Sequence, residues 1–178
     1  MNIYTNEELL DNVCLDADSY KESHYKFMSP NTESVFVYAS PRIGAQFKEI
    51  VANVGLHIYL KNYLSRRITR KMIDFASMFL AAHGVPFNRE GFEYILTHHD
   101  GYFPVRISAV DEGTVVPEGS VVFTIENTDP NCAWAANFIE TQIMRAGWYG
   151  STVATLSREY KRIIKHYLDL SGTSEISS

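Results

Sequence analysis

The segment DADSYKESHYKF, residues 16–27, crowds carboxylates, tyrosines, lysines and a histidine into twelve positions. Two kinds of structure use such a set. A solvated helix takes Asp18 as its N-cap and leaves Tyr20 partly buried. A ligand site takes the Tyr20 ring as a stacking surface for a planar aromatic molecule, with the Asp18 carboxylate favouring positive charge on that molecule. Arg42 is the second candidate. It directly follows the apolar run SVFVYAS, residues 34–40, and anionic ligands of open α/β sheets collect at strand ends. A surface arginine is the plainer alternative.

Other motifs exclude chemistry. THHDG, residues 97–101, pairs His98 with His99, but adjacent helical residues diverge by about 100° and no third ligand sits at useful spacing. His57, His83 and His166 are isolated, so no metal site is expected within the chain. VDEGTVVPEGSVVF, residues 110–123, resembles half of a biotinyl or lipoyl hammerhead, yet no lysine lies between Arg106 and Asn131 to carry the group. Neither GxxxxGK[ST] nor GxGxxG occurs, so no glycine loop cradles phosphate.

The elements that must hold these residues follow from hydrophobic period. Residues 18–27 predict a short helix, SPNT a turn, and Ser34–Ser40 a buried strand. Phe47, Ile50, Val51, Val54 and Ile58 recur at helical spacing and predict one helix over about 46–64. A second helix follows a Thr69 cap, and a third follows Asn88 and stops near Gly101. Residues 103–127 alternate and carry Glu-Gly turns, which predicts a small antiparallel β-unit of two or three strands. Asp129-Pro130 opens a helix with Trp134, Phe138, Thr141 and Met144 on one face. Gly147 and Gly150 predict a break, and a last helix runs over about 152–171. The class is α+β (mixed α/β), helix-rich, as a single region 1–178: helices and one buried strand over 1–102, the β-unit, then helices over 128–172. One buried strand is too little for a complete barrel or doubly wound sheet, so the chain reads as part of something larger.

Hydrophobic residues make up 46% and charged residues 21% of the 178, enough for a packed core, and the net charge of −5 argues against nucleic acid or anionic membrane as partner. Cys14 and Cys132 lack CxxC spacing, as expected in a reducing compartment. No basic leader precedes an apolar stretch and no run of eighteen apolar residues occurs, so a cytoplasmic protein is expected.

DSYKESHYKFMSPNTESVFVYASPR, HDGYFPVRISAVDEGTVVPEGSVVFTIENTDPNCAW and FIETQIMRAGWYGSTVATLSREYKRIIKHYLDLSG resemble, in order, the N-terminal region of the nicotinamide phosphoribosyltransferases. The similarity runs from about Val13 to Gly172. The resemblance implies the N-terminal part of a type II phosphoribosyltransferase fold with its α/β barrel largely absent. It implies the joining of nicotinamide to 5-phosphoribosyl 1-pyrophosphate, giving nicotinamide mononucleotide and pyrophosphate in NAD salvage, with Mg²⁺ accompanying the donor. It also implies a homodimer in which Asp18 and Tyr20 reach the neighbouring subunit's nicotinamide site, while Arg42 approaches the donor phosphates. Two departures stand out. The family's DFGxRG-type segment, expected beyond Gly172, lies outside this sequence, so a complementing C-terminal half is expected to complete the site. QIMRAGWYG carries one residue more than expected, with Gly150 in place of proline. The alternatives are a non-catalytic homologue that dimerises with or regulates a full-length enzyme, or an interaction domain unrelated to NAD.

Overall fold

The computed structural model describes residues 11–172. After two 3₁₀ turns, Val13–Leu15 and Lys21–Phe27, come strand β1, Phe36–Ala39, and strand β2, Glu49–Val51. Helix α1, Leu56–Tyr59, runs into a π-helical turn, Leu60–Leu64. Helices α2, Arg70–Ala82, and α3, Arg89–His98, precede strands β3, Val105–Ala109, β4, Val115–Pro117, and β5, Phe123–Asn127. A 3₁₀ turn, Pro130–Cys132, then leads into helix α4, Ala133–Leu170.

The α+β class holds, and local signals set most helix starts. The Thr69 hydroxyl accepts from the Met72 amide and the Asn88 side chain from the Gly91 amide, each quenching an orphan donor of the first turn. Asp129 does the same for Asn131 ahead of α4, with Pro130 next in line. Phe92 is fully buried, edge-on to Trp134 and Phe138 at ring centroid distances of 4.9 and 5.3 Å. Ile73, Ile95, Ile125, Ile139 and Ile143 close the core around it.

Four expectations change. The 46–64 segment is not one helix. Its first part is β2, which pairs antiparallel with β4 through Ile50↔Val116. Asn53 at φ 55° and Gly55 at φ 93° then turn the chain before α1 begins. Asn53 is buried there, donating to the Val110 and Val122 carbonyls at 2.8 and 2.9 Å. Second, the 34–40 strand shortens to β1 and is an edge strand with Phe36 and Tyr38 exposed. Third, the antiparallel 103–127 unit forms as expected, β3 pairing with β5, but it is extended by strands from outside it. β5 is central in the antiparallel order β1-β5-β3, with Val37 and Ile107 flanking Ile125, while β4 leaves to join β2. Fourth, Gly147 and Gly150 do not break α4, which continues for 38 residues, roughly 57 Å at 1.5 Å per residue. Its first half buries Ala135, Ala136, Phe138, Ile139 and Ile143, while Trp148 and Tyr149 are exposed. Beyond Thr155 it presents Tyr160, Ile163, Ile164, Tyr167 and Leu170 to solvent.

Candidate functional site

The 3₁₀ turn carrying the first cluster lies along α4, and a buried cation fixes it there. The Lys21 side chain is 6% exposed and its ammonium meets Glu140 Oε2 at 2.5 Å. It also donates to the Asn137 carbonyl and Asn137 Oδ1 at 3.1 and 3.2 Å. With Oδ1 taken, the Asn137 amide nitrogen faces His24 Nδ1 at 2.8 Å, so the imidazole accepts at Nδ1. Lys21 is the buried member and Glu140 keeps 34% exposure; removing Glu140 would leave a buried ammonium without its counter-charge, which is why the segment holds its place.

Asp18 does not cap with its carboxylate. Its backbone carbonyl receives the Lys21 amide at 2.8 Å, and Oδ2 accepts from the Thr141 hydroxyl of α4 at 3.1 Å. The Asp18 hydrogen bond raises the Tyr20 phenol above its ordinary value. Tyr20 is 57% exposed, and its ring contact among the described residues is with His24, at a centroid distance of 5.2 Å. An exposed aromatic face on a locked backbone is a ready stacking surface. Alongside, the Tyr59 hydroxyl donates to Asp16 Oδ2 at 2.9 Å, and Arg145 pairs with the same carboxylate.

Glu22 is the oddity of the segment. It is 3% exposed, and burial pushes its carboxyl from 4.5 up to about 8. A carboxyl whose folded value is raised binds its proton more tightly when folded, so stability is undiminished below the unfolded value and falls as pH rises toward the folded one. Between about pH 5 and 9 this cost is on the order of a few kcal/mol. The expected result is that Glu22→Gln flattens the pH dependence and is the more stable protein at alkaline pH, as read by urea unfolding across that range. An equal pH slope in both proteins would contradict it.

Arg42 lies elsewhere. It is on the loop after β1, exposed, with no ion-pair partner among the described residues. The loop is pinned around it: the Gly119 amide donates to the Pro41 carbonyl at 2.8 Å, and Glu118 accepts from Lys48 and the Gly44 amide, each at 2.7 Å. Those bonds, Lys48 first, hold the Glu118 carboxyl below its ordinary value. Arg42 lines a cavity of about 630 Å³ between this loop and α4, whose walls include Phe47, Ile50, Met144 and Trp148. Thr141, which holds Asp18, and Trp148 are seven residues apart on α4, about 10 Å along the axis. Asp18 and Tyr20 are therefore together, whereas Arg42 lies at the cavity that α4 walls from Met144 onward.

The residues sequence reasoning missed are the ones that hold the cluster: Asn137, Glu140 and, for this role, Thr141. They sit more than a hundred positions away, and no local pattern pairs them with Asp18 or Lys21. The histidine pair also separates. His98 Nδ1 lies 3.2 Å from the Tyr94 carbonyl of its own helix, whereas His99 reaches Asp129 across the fold. No helix among the described residues is long and apolar enough to cross a membrane.

Residues 12–107 match the family described as "Nicotinamide phosphoribosyltransferase, N-terminal domain". A nicotinamide phosphoribosyltransferase of Xanthomonas campestris pv. campestris is 42% identical over 159 residues, covering 89% of this chain and 33% of the relative. One from Acinetobacter baylyi is 28% identical over 171 residues, covering 88% of this chain and 34% of the relative. The chain thus spans about a third of the length of these curated relatives. The crystal structure of human nicotinic acid phosphoribosyltransferase superposes with a TM-score of 0.55 at 17% identity, over 79% of this chain and 27% of that one. At that identity the likeness speaks for the fold alone.

Proposed function

The chain belongs to the nicotinamide phosphoribosyltransferase family through its N-terminal domain, and from that premise we propose that it forms the N-terminal third of an enzyme making nicotinamide mononucleotide. The substrates are nicotinamide and 5-phosphoribosyl 1-pyrophosphate. The ring nitrogen of nicotinamide bonds to the anomeric carbon as the bond from that carbon to pyrophosphate breaks, and the ring becomes a pyridinium. Tyr20 offers it a π-face and Asp18 a carboxylate, both of which favour the growing positive charge. Arg42 holds a donor phosphate through its planar fork. Mg²⁺ arrives with the donor. Glu118, the carboxylate tied into the Arg42 loop, is already taken by Lys48 and the Gly44 amide, so the chain supplies no ligand for it there.

The observation that carries this reading is the presentation of Tyr20. It is exposed, yet its segment is bound to α4 through the buried Lys21 ammonium and its half-buried partner Glu140. It does not line the Arg42 cavity. A ring held stiffly outward suits a site completed by other parts of the protein or by a second subunit, which is where preorganised positioning contributes most. Cytoplasmic salvage of NAD is the setting this activity implies.

The test is complementation. The 178-residue chain alone is expected to make no nicotinamide mononucleotide. Co-expressed with the remaining two-thirds of the Xanthomonas relative, it is expected to restore turnover. Product from the pure chain above a contaminant control, or a folded complex without activity, would overturn the proposal. The solvent-facing stripe Tyr160, Ile163, Ile164, Tyr167 and Leu170 on α4 favours a second reading, a dimerising partner of a full-length enzyme. In that case sedimentation shows the complex and the active sites work without Tyr20 from this chain.

A further inference from the structure

His99 acquires by folding the ligands its sequence neighbourhood lacks. It is the residue just past α3, and Asp129 and Cys132 flank the turn that starts α4. One ligand atom from each of His99, Asp129 and Cys132 lies within 4.8 Å of the other two. His99 Nε2 is 2.7 Å from Asp129 Oδ2. The carboxylate is aimed from behind: Oδ2 accepts from the Tyr94 hydroxyl at 3.1 Å, and Oδ1 accepts from the Asn131 amide and side chain at 2.8 and 3.1 Å. Such outer partners orient a ligating carboxylate and set its basicity. The Cys132 sulfur forms the buried floor, while the His99 and Asp129 side chains retain 27% and 16% exposure and leave an entry.

We infer that His99, Asp129 and Cys132 bind a borderline transition-metal ion of the Zn²⁺ class, with water as a fourth ligand. The donor set decides the class. One imidazole nitrogen, one carboxylate oxygen and one sulfur suit Zn²⁺ or Co²⁺ and not the hard Mg²⁺ or Ca²⁺. Metal–ligand bonds of about 2.0–2.3 Å in a tetrahedron put ligand atoms roughly 3.3–3.8 Å apart. The cluster reaches this by widening the 2.7 Å His99–Asp129 contact, with all three atoms already within 4.8 Å of one another. On binding, the Cys132 S–H proton leaves to solvent as the metal–sulfur bond forms, so affinity rises with pH. Without metal, burial and then the Asp129 charge push the Cys132 thiol up to about 12 and keep the sulfur protonated. The bound ion ties the end of α3 to the start of α4, a structural clamp independent of the proposed transferase site.

The experiment is a Co²⁺ titration of the tag-free 178-residue chain, followed by visible absorption. One equivalent is expected to give tetrahedral d–d bands and a thiolate-to-cobalt charge-transfer band, both removed by Zn²⁺ and untouched by Mg²⁺. Cys132→Ser is expected to abolish the charge-transfer band. His99→Gln, on the exposed side of the cluster, is expected to weaken binding by more than the roughly 10–100-fold that loss of an outer partner costs, with unchanged circular dichroism. Absence of a stoichiometric charge-transfer band, or affinity in both variants equal to the parent's, would overturn the site and assign any bound ion to surface histidines. No substrate enters the assay, so its outcome is separate from that of the complementation test.

Discussion

Gly150→Ala is expected to lower the unfolding free energy by about 4 kcal/mol or more, or to abolish folding. A Cβ at this position would stand 1.9 Å from the Val54 carbonyl oxygen and 2.8 Å from its carbon. Both are backbone atoms, so no rotamer change relieves the overlap. The segment cannot retreat cheaply either. Asn53 is anchored to Val110 and Val122, and the Val51 amide donates to the Thr155 hydroxyl of α4 at 2.9 Å. Gly147→Ala provides the contrast. Its nearest neighbours, Asn53 Oδ1 and Phe123 Cε1, would be 3.9 Å from the new methyl, an ordinary contact. There the roughly 1 kcal/mol advantage of alanine over glycine in a helix is expected to show. Urea unfolding of the two variants measures both. Near-equal destabilisation would contradict the close approach of α4 to residues 52–55.

The two glycines also show where the sequence was legible. Read locally, Gly147 and Gly150 flanking Trp148-Tyr149 signal a break, because glycine weakens a helix. The fold retains Gly150 for a tertiary reason, the crossing of Val54, which no local window contains. The same logic separates the other elements. The caps at Thr69, Asn88 and Asp129 were readable because a side chain bonds an amide two or three residues on. β2 was not, since Phe47, Ile50, Val51 and Val54 satisfy a helical period equally well. Its pairing with Val115–Pro117 and the left-handed Asn53 and Gly55 decided the matter. β1 was seen, but its exposure was misjudged, since an apolar run does not reveal which strand lies at the edge of a sheet. At the candidate site, residue type pointed to Asp18, Tyr20 and Arg42. The hold of Thr141 on Asp18, and of Asn137 and Glu140 on the neighbouring Lys21, required the fold. His99 was set aside for want of a third ligand, which Asp129 and Cys132 supply only in three dimensions.

The second large effect concerns Arg42. In the reassembled enzyme, Arg42→Ala is expected to raise the KM for 5-phosphoribosyl 1-pyrophosphate by about 10–100-fold, the loss of charge-assisted hydrogen bonds worth about 1.5–3 kcal/mol. The guanidinium has no ion-pair partner among the described residues to release or reorganise, so the loss falls on the ligand and not on the fold. Unfolding free energy should therefore stay within about 0.5 kcal/mol of the parent. Tyr20→Ala removes the stacking face and is expected to raise the KM for nicotinamide by about tenfold. Here Lys21, Asn137 and Glu140 still hold the backbone in place.

The central claim is that one chain presents the base-facing and donor-facing groups at separate places along α4. The most direct measurement is the pair of Michaelis constants, for nicotinamide and for the phosphoribosyl donor, in parent, Tyr20→Ala and Arg42→Ala proteins assembled with the complementing portion. The account predicts a crossed pattern, Tyr20→Ala moving the nicotinamide constant and Arg42→Ala the donor constant. Both constants unchanged in both variants, or both moved together by either one, would contradict it.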